Sequence, residues 1–242
     1  MQRLPPAADF VARPCTPPMN PYVAILAGAT GLVGRAILAG LLADPAVAHV
    51  HCVGRRPPPL VHKKITAHGL TTAEVPPLPP ASVLYLALGT TIKTAGSQAV
   101  FRQVDHDLPL ALAVAALQAG VSQIGLVSSV GAHAGSSNFY LQVKGELEQA
   151  LKALAPPGLV IAQPSLLLGN RAALGQPLRR AERWGQAVGR LLGPCLPLAY
   201  RPIEATKVAA ALRQRVPTAR GVVVLGGADL QQAAPGPTGL SA

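Results

Sequence analysis

The stretch of sequence that decides the fold is Tyr22-Val-Ala-Ile-Leu-Ala-Gly28-Ala-Thr-Gly31-Leu-Val-Gly34. It opens with an apolar run of the kind that predicts a buried parallel strand. Glycine then recurs at every third position, and apolar residues continue at helical spacing as far as Ala43. A strand, a glycine-rich turn and a helix in this order are the context in which such glycines bind a dinucleotide. We therefore predict a nucleotide-binding turn at this point.

Each glycine of this turn has a distinct predicted role. Gly28 permits a tight turn, Gly31 lets the backbone approach a pyrophosphate, and Gly34 allows the helix to pack closely on the strand. The N-terminus of the helix presents free N–H groups to the anion. The residues that we predict to bind the cofactor at this turn are Gly28, Thr30, Gly31, Leu32, Val33 and Gly34.

Strand and helix patterns alternate along the rest of the chain. Apolar runs predict strands at 47–53, 64–67, 82–88, 123–129, 159–163 and 221–225, and helical patterns occur at 97–119, 138–155, 178–192 and 204–215. This alternation predicts a Rossmann-type α/β fold, a doubly wound parallel sheet with helices on both faces. In such sheets ligands bind beyond the carboxyl ends of the strands. We expect a disordered Pro-rich leader at 1–20, one domain at 21–232 with a small substrate-covering segment towards its C-terminus, and a flexible tail at 233–242.

Composition narrows the class of protein. The chain has 242 residues, of which 50% are hydrophobic, and this suits one sizeable core. Its three cysteines are far apart and include no C-x-x-C pair, which argues against a disulfide framework or a zinc ribbon and favours a reducing compartment. The six histidines show no metal-ligand spacing, so we predict no metal. Because there is neither a signal-peptide pattern nor an apolar run long enough to span a bilayer, we expect a cytoplasmic protein.

The formal net charge is +11, and basic residues are concentrated between Arg171 and Arg220. A basic region of this kind suits an anionic substrate, an anionic membrane surface or nucleic acid. It is equally typical of a solvated arginine-rich surface. Both interpretations stay open, although nucleic-acid binding is the weakest of them.

The end of the second predicted strand indicates which dinucleotide is bound. Sites that prefer NAD place an acidic residue about 20 residues beyond the glycines, where it holds the ribose hydroxyls. This chain has Gly54-Arg55-Arg56 there instead. A guanidinium binds phosphate through paired planar hydrogen bonds, so Arg55 and Arg56 predict recognition of a 2′-phosphate and a preference for NADPH/NADP over NAD. The alternative is that both arginines are solvated loop residues.

A candidate catalytic group follows the fifth predicted strand, which ends in Ser128-Ser129. Tyr140 and Lys144 are four residues apart, so both side chains lie on one face of the predicted helix. A carbonyl that is reduced by hydride needs a proton at its developing alkoxide, and a lysine ammonium makes a neighbouring phenol more acidic. We predict Tyr140 as the general acid and Lys144 as its partner. A serine hydroxyl can orient the substrate oxygen, and we assign this role to Ser129, with Ser128 as the alternative.

Several short motifs occur together in a known group of proteins. They are the glycine turn, Gly54-Arg55-Arg56, Leu88-Gly89-Thr90-Thr91, Ala95-Gly96-Ser97, Val104-Asp105, Ser128-Ser129, the stretch from Ser137 to Glu146 and the stretch from Gln163 to Arg171. This set resembles the atypical short-chain dehydrogenases/reductases typified by the Tat-interacting oxidoreductase, a metastasis suppressor, and its bacterial relatives. The resemblance covers about residues 22–230, and we interpret the chain as a bacterial member of that group.

The resemblance implies an NADPH-bound Rossmann monomer with an intact Tyr/Lys pair and poorly defined substrates. It implies that Lys144 binds the nicotinamide ribose. It also implies that Asp105 departs from the pattern, because related reductases often carry an asparagine there to support a proton-relay water. Gln163 likewise replaces an arginine. The further cofactor-binding residues that the resemblance implies are Leu88, Gly89, Thr90 and Thr91 at the fourth strand, Tyr140 and Lys144, and Pro164, Leu166, Leu167 and Arg171 in a loop over the nicotinamide.

Together these observations predict an NADP-dependent short-chain dehydrogenase that transfers hydride to a small carbonyl substrate of unknown identity. An anionic or amphipathic substrate is compatible with the basic C-terminal third. An epimerase or dehydratase using the same hydride chemistry is a variant of this prediction. The alternative is an NADPH-binding regulatory or scaffold protein without turnover. We expect a monomer or a homodimer.

Overall fold

The fold is built on parallel strands joined by helices. A computed structural model of the chain describes residues 21–71, 75–168 and 201–234. Its strands are β1 (Tyr22–Ala27), β2 (Val47–Gly54), β3 (Ile65–Gly69), β4 (Val83–Leu86), β5 (Gln123–Val127), β6 (Gly158–Ala162), β7 (Leu167–Leu168), β8 (Ile203–Glu204) and β9 (Gly221–Leu225). Its helices are α1 (Leu32–Ala43), α2 (Ile92–Ala95), α3 (Gln98–Arg102), α4 (Leu108–Gln118), α5 (Phe139–Ala153), α6 (Ala205–Arg215) and α7 (Gly227–Gln232), with a π-helical turn at Gln103–Asp107 and a 3₁₀ turn at Val216–Thr218.

Seven of these strands form one sheet in the order β3-β2-β1-β4-β5-β6-β9, and each neighbouring pair is parallel. The strands β7 and β8 form a separate parallel pair. The strand order reverses between β1 and β4, and in open parallel sheets this reversal opens a crevice beyond the carboxyl ends. The predicted doubly wound sheet of the Rossmann type is thereby confirmed.

The alternation of side chains along β1 builds both layers of the core. Ala24 and Leu26 face the side on which α1 and α6 pack, whereas Ile25 and Ala27 face the side of α4 and α5. All four side chains are fully buried. A strand covered on both faces has no position for a polar side chain, which is why its sequence is a continuous apolar run.

Most of the predicted elements within the described residues are present, with shifts at their ends. The strand predicted at 82–88 ends at Leu86, because the chain leaves the ladder after the Ala87 N–H bonds to the Ala27 carbonyl, and it then crosses close to Gly28. The helix predicted at 97–119 is interrupted by the π turn at Gln103–Asp107. The short elements α2, α7, β7 and β8 were not predicted, since a few residues are too short to show a periodic pattern.

Some expectations fall outside the described residues. These are the leader at 1–20, the helical pattern at 178–192 with most of the substrate-covering segment, and the tail beyond residue 234. The division of the chain at residues 20 and 232 therefore stays a prediction. Within the described part of the chain, no helix is long and apolar enough to cross a lipid bilayer.

Candidate active site

The glycine-rich turn lies between the carboxyl end of β1 and the first turn of α1. Gly28 has a φ of +90°, in the left-handed region that strains residues with a side chain. A methyl group at this position would also lie 2.4 Å from the carbonyl oxygen of Ala87, just beyond β4. Glycine is therefore needed here both for the turn and for the close approach of two neighbouring strand ends.

The other two glycines of the turn have different surroundings. A methyl group on Gly34 would lie 2.0 Å from the carbonyl oxygen of Gly28, so a side chain there would push α1 away from the turn. A methyl group on Gly31 would lie 3.5 Å from the same oxygen, an ordinary van der Waals contact. The fold thus needs glycine at position 34, whereas Gly31 keeps the backbone uncovered where it lines the cleft.

The N-terminus of α1 is suited to an anion. Gly31 is its N-cap, no side chain caps the first turn, and the first turn contains no acidic residue. The N–H groups of a first helical turn carry the positive end of the helix dipole. Because no carboxylate of the first turn competes for these N–H groups, the residues present fit a diphosphate.

Arg55 and Arg56 reach the same cleft from the end of β2. Both side chains are exposed, and both line the cleft. Arg56 Nη2 lies 3.4 Å from Thr30 Oγ1, so this guanidinium stands beside the glycine turn. The parallel pairing of β1 with β2 brings these two carboxyl ends together. None of the described residues that line the cleft is acidic, so the cleft offers two neighbouring positions for anionic groups.

The rest of the cleft wall is mostly apolar. It is formed by β2, by the segments that follow β3 and β4, by the π turn and by the start of α4. The residues concerned are Cys52, Val53, Leu70, Ala87, Leu88, Gly89, Val104 and Leu108. Burial raises the pKa of the Cys52 thiol to about 11, so this cysteine is an apolar wall residue and not a nucleophile. The predicted residues Leu88 and Gly89 thus lie in the cleft, and the hydroxyl of Thr91 caps α2 by accepting a hydrogen bond from the Thr94 N–H.

Tyr140 and Lys144 lie on the first two turns of α5. The Asn138 side chain accepts a hydrogen bond from the Leu141 N–H and so caps the helix at its start. The Tyr140 ring packs against the buried ring of Phe101, with centroids 5.7 Å apart. Lys144 is buried. Helical spacing therefore brings the pair onto the face of α5 that packs against the π turn and against the Phe101 ring of α3.

The ammonium of Lys144 is paired with a carboxylate from the π turn. Lys144 Nζ lies 2.7 Å from Asp105 Oδ1, and the two side chains are 5% and 1% exposed. Asp105 Oδ2 accepts a hydrogen bond of 2.8 Å from the Thr90 N–H. The sequence singled out Asp105 as a departure from a family pattern, but nothing in the sequence indicated this pairing. Asp105 joins the loop after β4, the π turn and α5 at one point.

The two serines after β5 have different partners. Ser128 is buried, and its hydroxyl donates to Glu148 Oε1 at 2.5 Å. Glu148 is also buried and accepts a 2.9 Å hydrogen bond from Gln163 Nε2, so the glutamine that stands in place of an arginine has a structural partner. The Ser129 hydroxyl is half-buried and makes a longer contact of 3.3 Å with the Val130 carbonyl. Ser128 is engaged in the core, and Ser129 stays the candidate for the substrate oxygen.

Gly145 is needed for packing, and sequence patterns alone did not indicate this. A methyl group there would lie 2.2 Å from the carbonyl carbon of His133 and 2.3 Å from the backbone nitrogen of Ala134. Glycine at this position lets α5 pack directly against the backbone of the loop that follows β5. Its place immediately after Lys144, within the motif from Ser137 to Glu146, was the available signal.

The loop after β6 carries the residues expected to cover a nicotinamide. The Pro164 carbonyl accepts a 2.9 Å hydrogen bond from the Val130 N–H, which holds this loop beside the loop after β5. Leu166 is exposed, and Leu167 belongs to the short β7–β8 pair. The structure brings these residues towards the end of β5, but their contact with a cofactor stays a prediction. Arg171 lies outside the described residues.

Three histidines form a row on the β2–β3 pair. The ring centroids of His49 and His51 are 4.8 Å apart, those of His51 and His68 are 5.1 Å apart, and His51 Nδ1 lies 3.0 Å from His68 Nε2. Burial, and then the neighbouring His49 and His68, lower the pKa of His51. In the ranges that the structure describes, no three His, Cys, Asp or Glu side chains could hold one metal ion. The absence of a metal site in the whole protein stays a prediction.

Two sequence relatives decide the family. No family model matches the chain. FMP52-1 of Scheffersomyces stipitis, named a mitochondrial protein, is 40% identical over 154 residues, which cover 61% of this chain and 68% of that protein. FMP52 of Chaetomium globosum, also named mitochondrial, is 35% identical over 179 residues, which cover 70% of this chain and 76% of that protein. The chain belongs to the FMP52 family.

Membership of the FMP52 family corrects two predictions. The relatives are fungal proteins, so the interpretation as a bacterial member of the resembling group is not supported. The predicted cytoplasmic location is wrong, because the relatives are named mitochondrial. That prediction rested on cysteine usage and on the absence of a signal-peptide pattern, and neither property separates the cytosol from another reducing compartment.

Solved structures share the fold of this FMP52-family chain. MoeE5, in complex with UDP-glucose and NAD, aligns with a TM-score of 0.64 at 16% identity and covers 84% of this chain and 74% of its own. The oxidoreductase ylbE of Lactococcus lactis aligns with a TM-score of 0.58 at 15% identity and covers 86% of this chain and 95% of its own. At these identities the likeness establishes the Rossmann-type fold alone.

Proposed function

We propose that this protein is an NADPH-dependent oxidoreductase of the short-chain dehydrogenase/reductase type, which transfers hydride to a small carbonyl substrate. One observation carries the proposal. A single cleft contains an uncapped helix N-terminus behind a glycine turn and two exposed guanidiniums, and Asp105 links its wall to the Lys144 ammonium. A diphosphate, a 2′-phosphate and a nicotinamide ribose need these three kinds of group.

The protein acts as a monomer or homodimer on an anionic or amphipathic carbonyl compound.

The preference for NADPH over NADH rests on Arg55 and Arg56. Both guanidiniums can bind the 2′-phosphate of NADPH, and no acidic residue lines the described cleft beside them. NADH has two free ribose hydroxyls at that place, which a carboxylate would bind and a guanidinium does not favour. The solved structure of MoeE5, a protein of the same fold, is named as holding NAD, which supports a nicotinamide dinucleotide in general. When bound, NADPH supplies the hydride that reduces the substrate carbon.

Tyr140 is the proposed general acid. Its hydroxyl donates a proton to the carbonyl oxygen as that oxygen becomes an alkoxide, and the phenolate then regains a proton from water. Lys144 stabilises the phenolate and binds a ribose hydroxyl, while the Ser129 hydroxyl donates a hydrogen bond to the substrate oxygen. Burial keeps water away from the Lys144 ammonium, and the Asp105 carboxylate 2.7 Å away offsets part of its field at the phenol.

Replacement of Tyr140 by phenylalanine tests the proposal. The ring would keep its packing against Phe101, so we expect unchanged thermal stability and retained NADPH binding by calorimetry. Turnover should fall about 10²- to 10⁴-fold, which is the usual contribution of a general acid. The measurement is NADPH oxidation at 340 nm with a panel of aldehydes and ketones that includes anionic and amphipathic members.

The control for this test is Gln149→Ala, which changes an exposed residue of the same helix and should leave turnover unchanged. Turnover that survives in Tyr140→Phe would remove the tyrosine from the chemistry. Failure of the wild-type protein to bind NADPH at all would overturn the proposed function.

We also propose that the protein is mitochondrial, because its FMP52 relatives are named so. We expect the full chain, synthesised in vitro, to become protected from added protease when it is incubated with isolated mitochondria. Disruption of the organelle membranes with detergent should abolish the protection. A chain that neither sediments with the mitochondria nor becomes protected from protease would contradict this location.

A further inference from the structure

Asp105 occupies an unusual place between the cofactor cleft and the catalytic helix. It lies in the π-helical turn at Gln103–Asp107, and π turns occur frequently at functional sites. Val104 of the same turn and Leu108, the first residue of α4, line the cleft. The carboxylate itself points away from solvent and is 1% exposed. The π turn therefore places a charged group directly behind the wall of the cleft.

The two oxygens of this carboxylate contact two different parts of the proposed site. Oδ2 accepts a hydrogen bond from the backbone N–H of Thr90, in the loop that follows β4. A methyl group on the neighbouring Gly89 would come within 3.6 Å of Oδ1, so the carboxylate lies directly against this loop. Oδ1 in turn lies 2.7 Å from Lys144 Nζ. One side chain thus touches both the loop that lines the cleft and the lysine of α5.

The pairing also explains how Lys144 can be buried. An ammonium removed from water is unstable unless an opposite charge accompanies it. Asp105 supplies that charge, and its own burial is compensated by Lys144 and by the Thr90 N–H. Within the described residues, Oδ1 has no hydrogen bond of good geometry, so its contact with Lys144 is an ion pair. An ammonium has three N–H donors; one of them faces Asp105, so two remain for a ribose hydroxyl and for the phenol.

We infer that Asp105 is a positioning residue, which fixes the Lys144 ammonium relative to the loop at Gly89–Thr91. A dinucleotide bound against this loop then has its nicotinamide ribose within reach of the ammonium. The inference rests on the proposed function. It assigns to Asp105 a direct ionic role that a neutral asparagine could not perform. It also makes Asp105 a residue that acts through Lys144 and not through contact with the substrate.

The test is a double-mutant cycle on NADPH affinity with wild type, Asp105→Asn, Lys144→Met and the double variant. Asparagine keeps an oxygen for the Thr90 N–H but turns an NH₂ donor in place of Oδ1 towards Lys144, so Asp105→Asn removes the ion pair while the contact with Thr90 stays. We expect it to weaken NADPH binding about tenfold, within the range of one charged hydrogen bond. In the Lys144→Met background the same change should have no further effect. An equal loss in both backgrounds would mean that Asp105 merely supports the fold.

A second measurement follows Lys144 directly and needs no dinucleotide. Amine-reactive labelling with peptide mass spectrometry should modify Lys144 slowly in the wild type and severalfold faster in Asp105→Asn. Lys152, which lies on the same helix and is more exposed, is the internal reference and should not change. The matched control is Asp107→Asn, which removes an exposed carboxylate from the same π turn and should leave both affinity and labelling as in the wild type.

The outcomes separate this inference from the proposed function. Absence of NADPH binding by the wild type would overturn the function, while the labelling still reports whether Asp105 holds Lys144. Normal NADPH binding by Asp105→Asn, or labelling of Lys144 that is unaffected by the change, would overturn the inference alone. If Asp105→Asn folds poorly, the stability of the other two variants tests the ion pair. Lys144→Met leaves the Asp105 carboxylate buried without its partner, and the double variant removes that carboxylate, so the double variant should be the more stable of the two. A double variant that is no more stable than Lys144→Met would contradict the ion pair.

Discussion

A variant in which Arg55 and Arg56 are both replaced by alanine is expected to bind NADPH about 10²- to 10⁴-fold more weakly than the wild type. Each guanidinium is expected to give charged hydrogen bonds to the 2′-phosphate that are worth about 1.5–3 kcal/mol, and both are lost together. The affinity for NADH should change only slightly, since NADH has no phosphate at that position. Calorimetric titration with both dinucleotides measures the two constants on the same protein.

The exposed positions of both arginines make this result interpretable. Neither side chain belongs to the core, so the melting temperature should stay within about 2 °C of the wild type. The control is Lys63→Ala/Lys93→Ala, which removes two exposed positive charges from residues that do not line the cleft. If this control weakened NADPH binding as much as the arginine variant, the arginines would act only through net charge. Equal losses of NADH and NADPH affinity would contradict a 2′-phosphate contact.

Gly34→Ala is expected to lose both stability and NADPH binding, whereas Gly31→Ala is expected to lose mainly NADPH binding. The new methyl group at position 34 would lie 2.0 Å from the Gly28 carbonyl oxygen and 2.8 Å from its carbonyl carbon, so α1 or the turn must move. We expect a loss of about 3 kcal/mol or more in the free energy of unfolding, together with loss of NADPH binding. Thermal melting and calorimetry measure the two effects.

Gly31→Ala is the matched comparison. Its methyl group would meet only ordinary contacts, and its φ of −79° suits alanine. Alanine is a poorer N-cap than glycine, so we expect a loss of up to about 1 kcal/mol in the free energy of unfolding. NADPH binding should nevertheless fall at least about tenfold, because the methyl group would occupy the space into which the diphosphate must come. A Gly31→Ala protein with wild-type NADPH affinity would show that the diphosphate does not approach this backbone.

Local sequence patterns predicted the parts of the site that depend on neighbours along the chain. The helical periodicity after Gly31 predicted α1, and the four-residue spacing of Tyr140 and Lys144 predicted that both lie on one helix face. The parallel sheet predicted that the glycine turn and Arg55-Arg56 meet at one edge, and both line one cleft. These predictions succeeded because strand and helix geometry fixes the position of a residue relative to others a few positions away.

Contacts between distant residues were beyond the same reasoning. Nothing in the spacing of Asp105 and Lys144 indicates an ion pair, since their meeting depends on how the π turn packs against α5. Strand alternation left the choice between Ser128 and Ser129 open, and the buried contact with Glu148 distinguishes their surroundings. The shift of strand β4 to end at Leu86 also depends on a neighbour, namely the Gly28 turn against which the chain then runs.

By itself, the sequence determined that this chain forms a doubly wound parallel sheet with a glycine-rich turn at the end of its first strand, because apolar periodicity and glycine spacing act over a few residues and need no knowledge of the rest. Only the tertiary structure decided which charges are buried together, which serine is held in the core, and why residue 145 must lack a side chain. The physical reason is that burial and close packing are properties of surfaces that come from separate elements. Their contact geometry exists only once β4, the π turn and α5 have packed together.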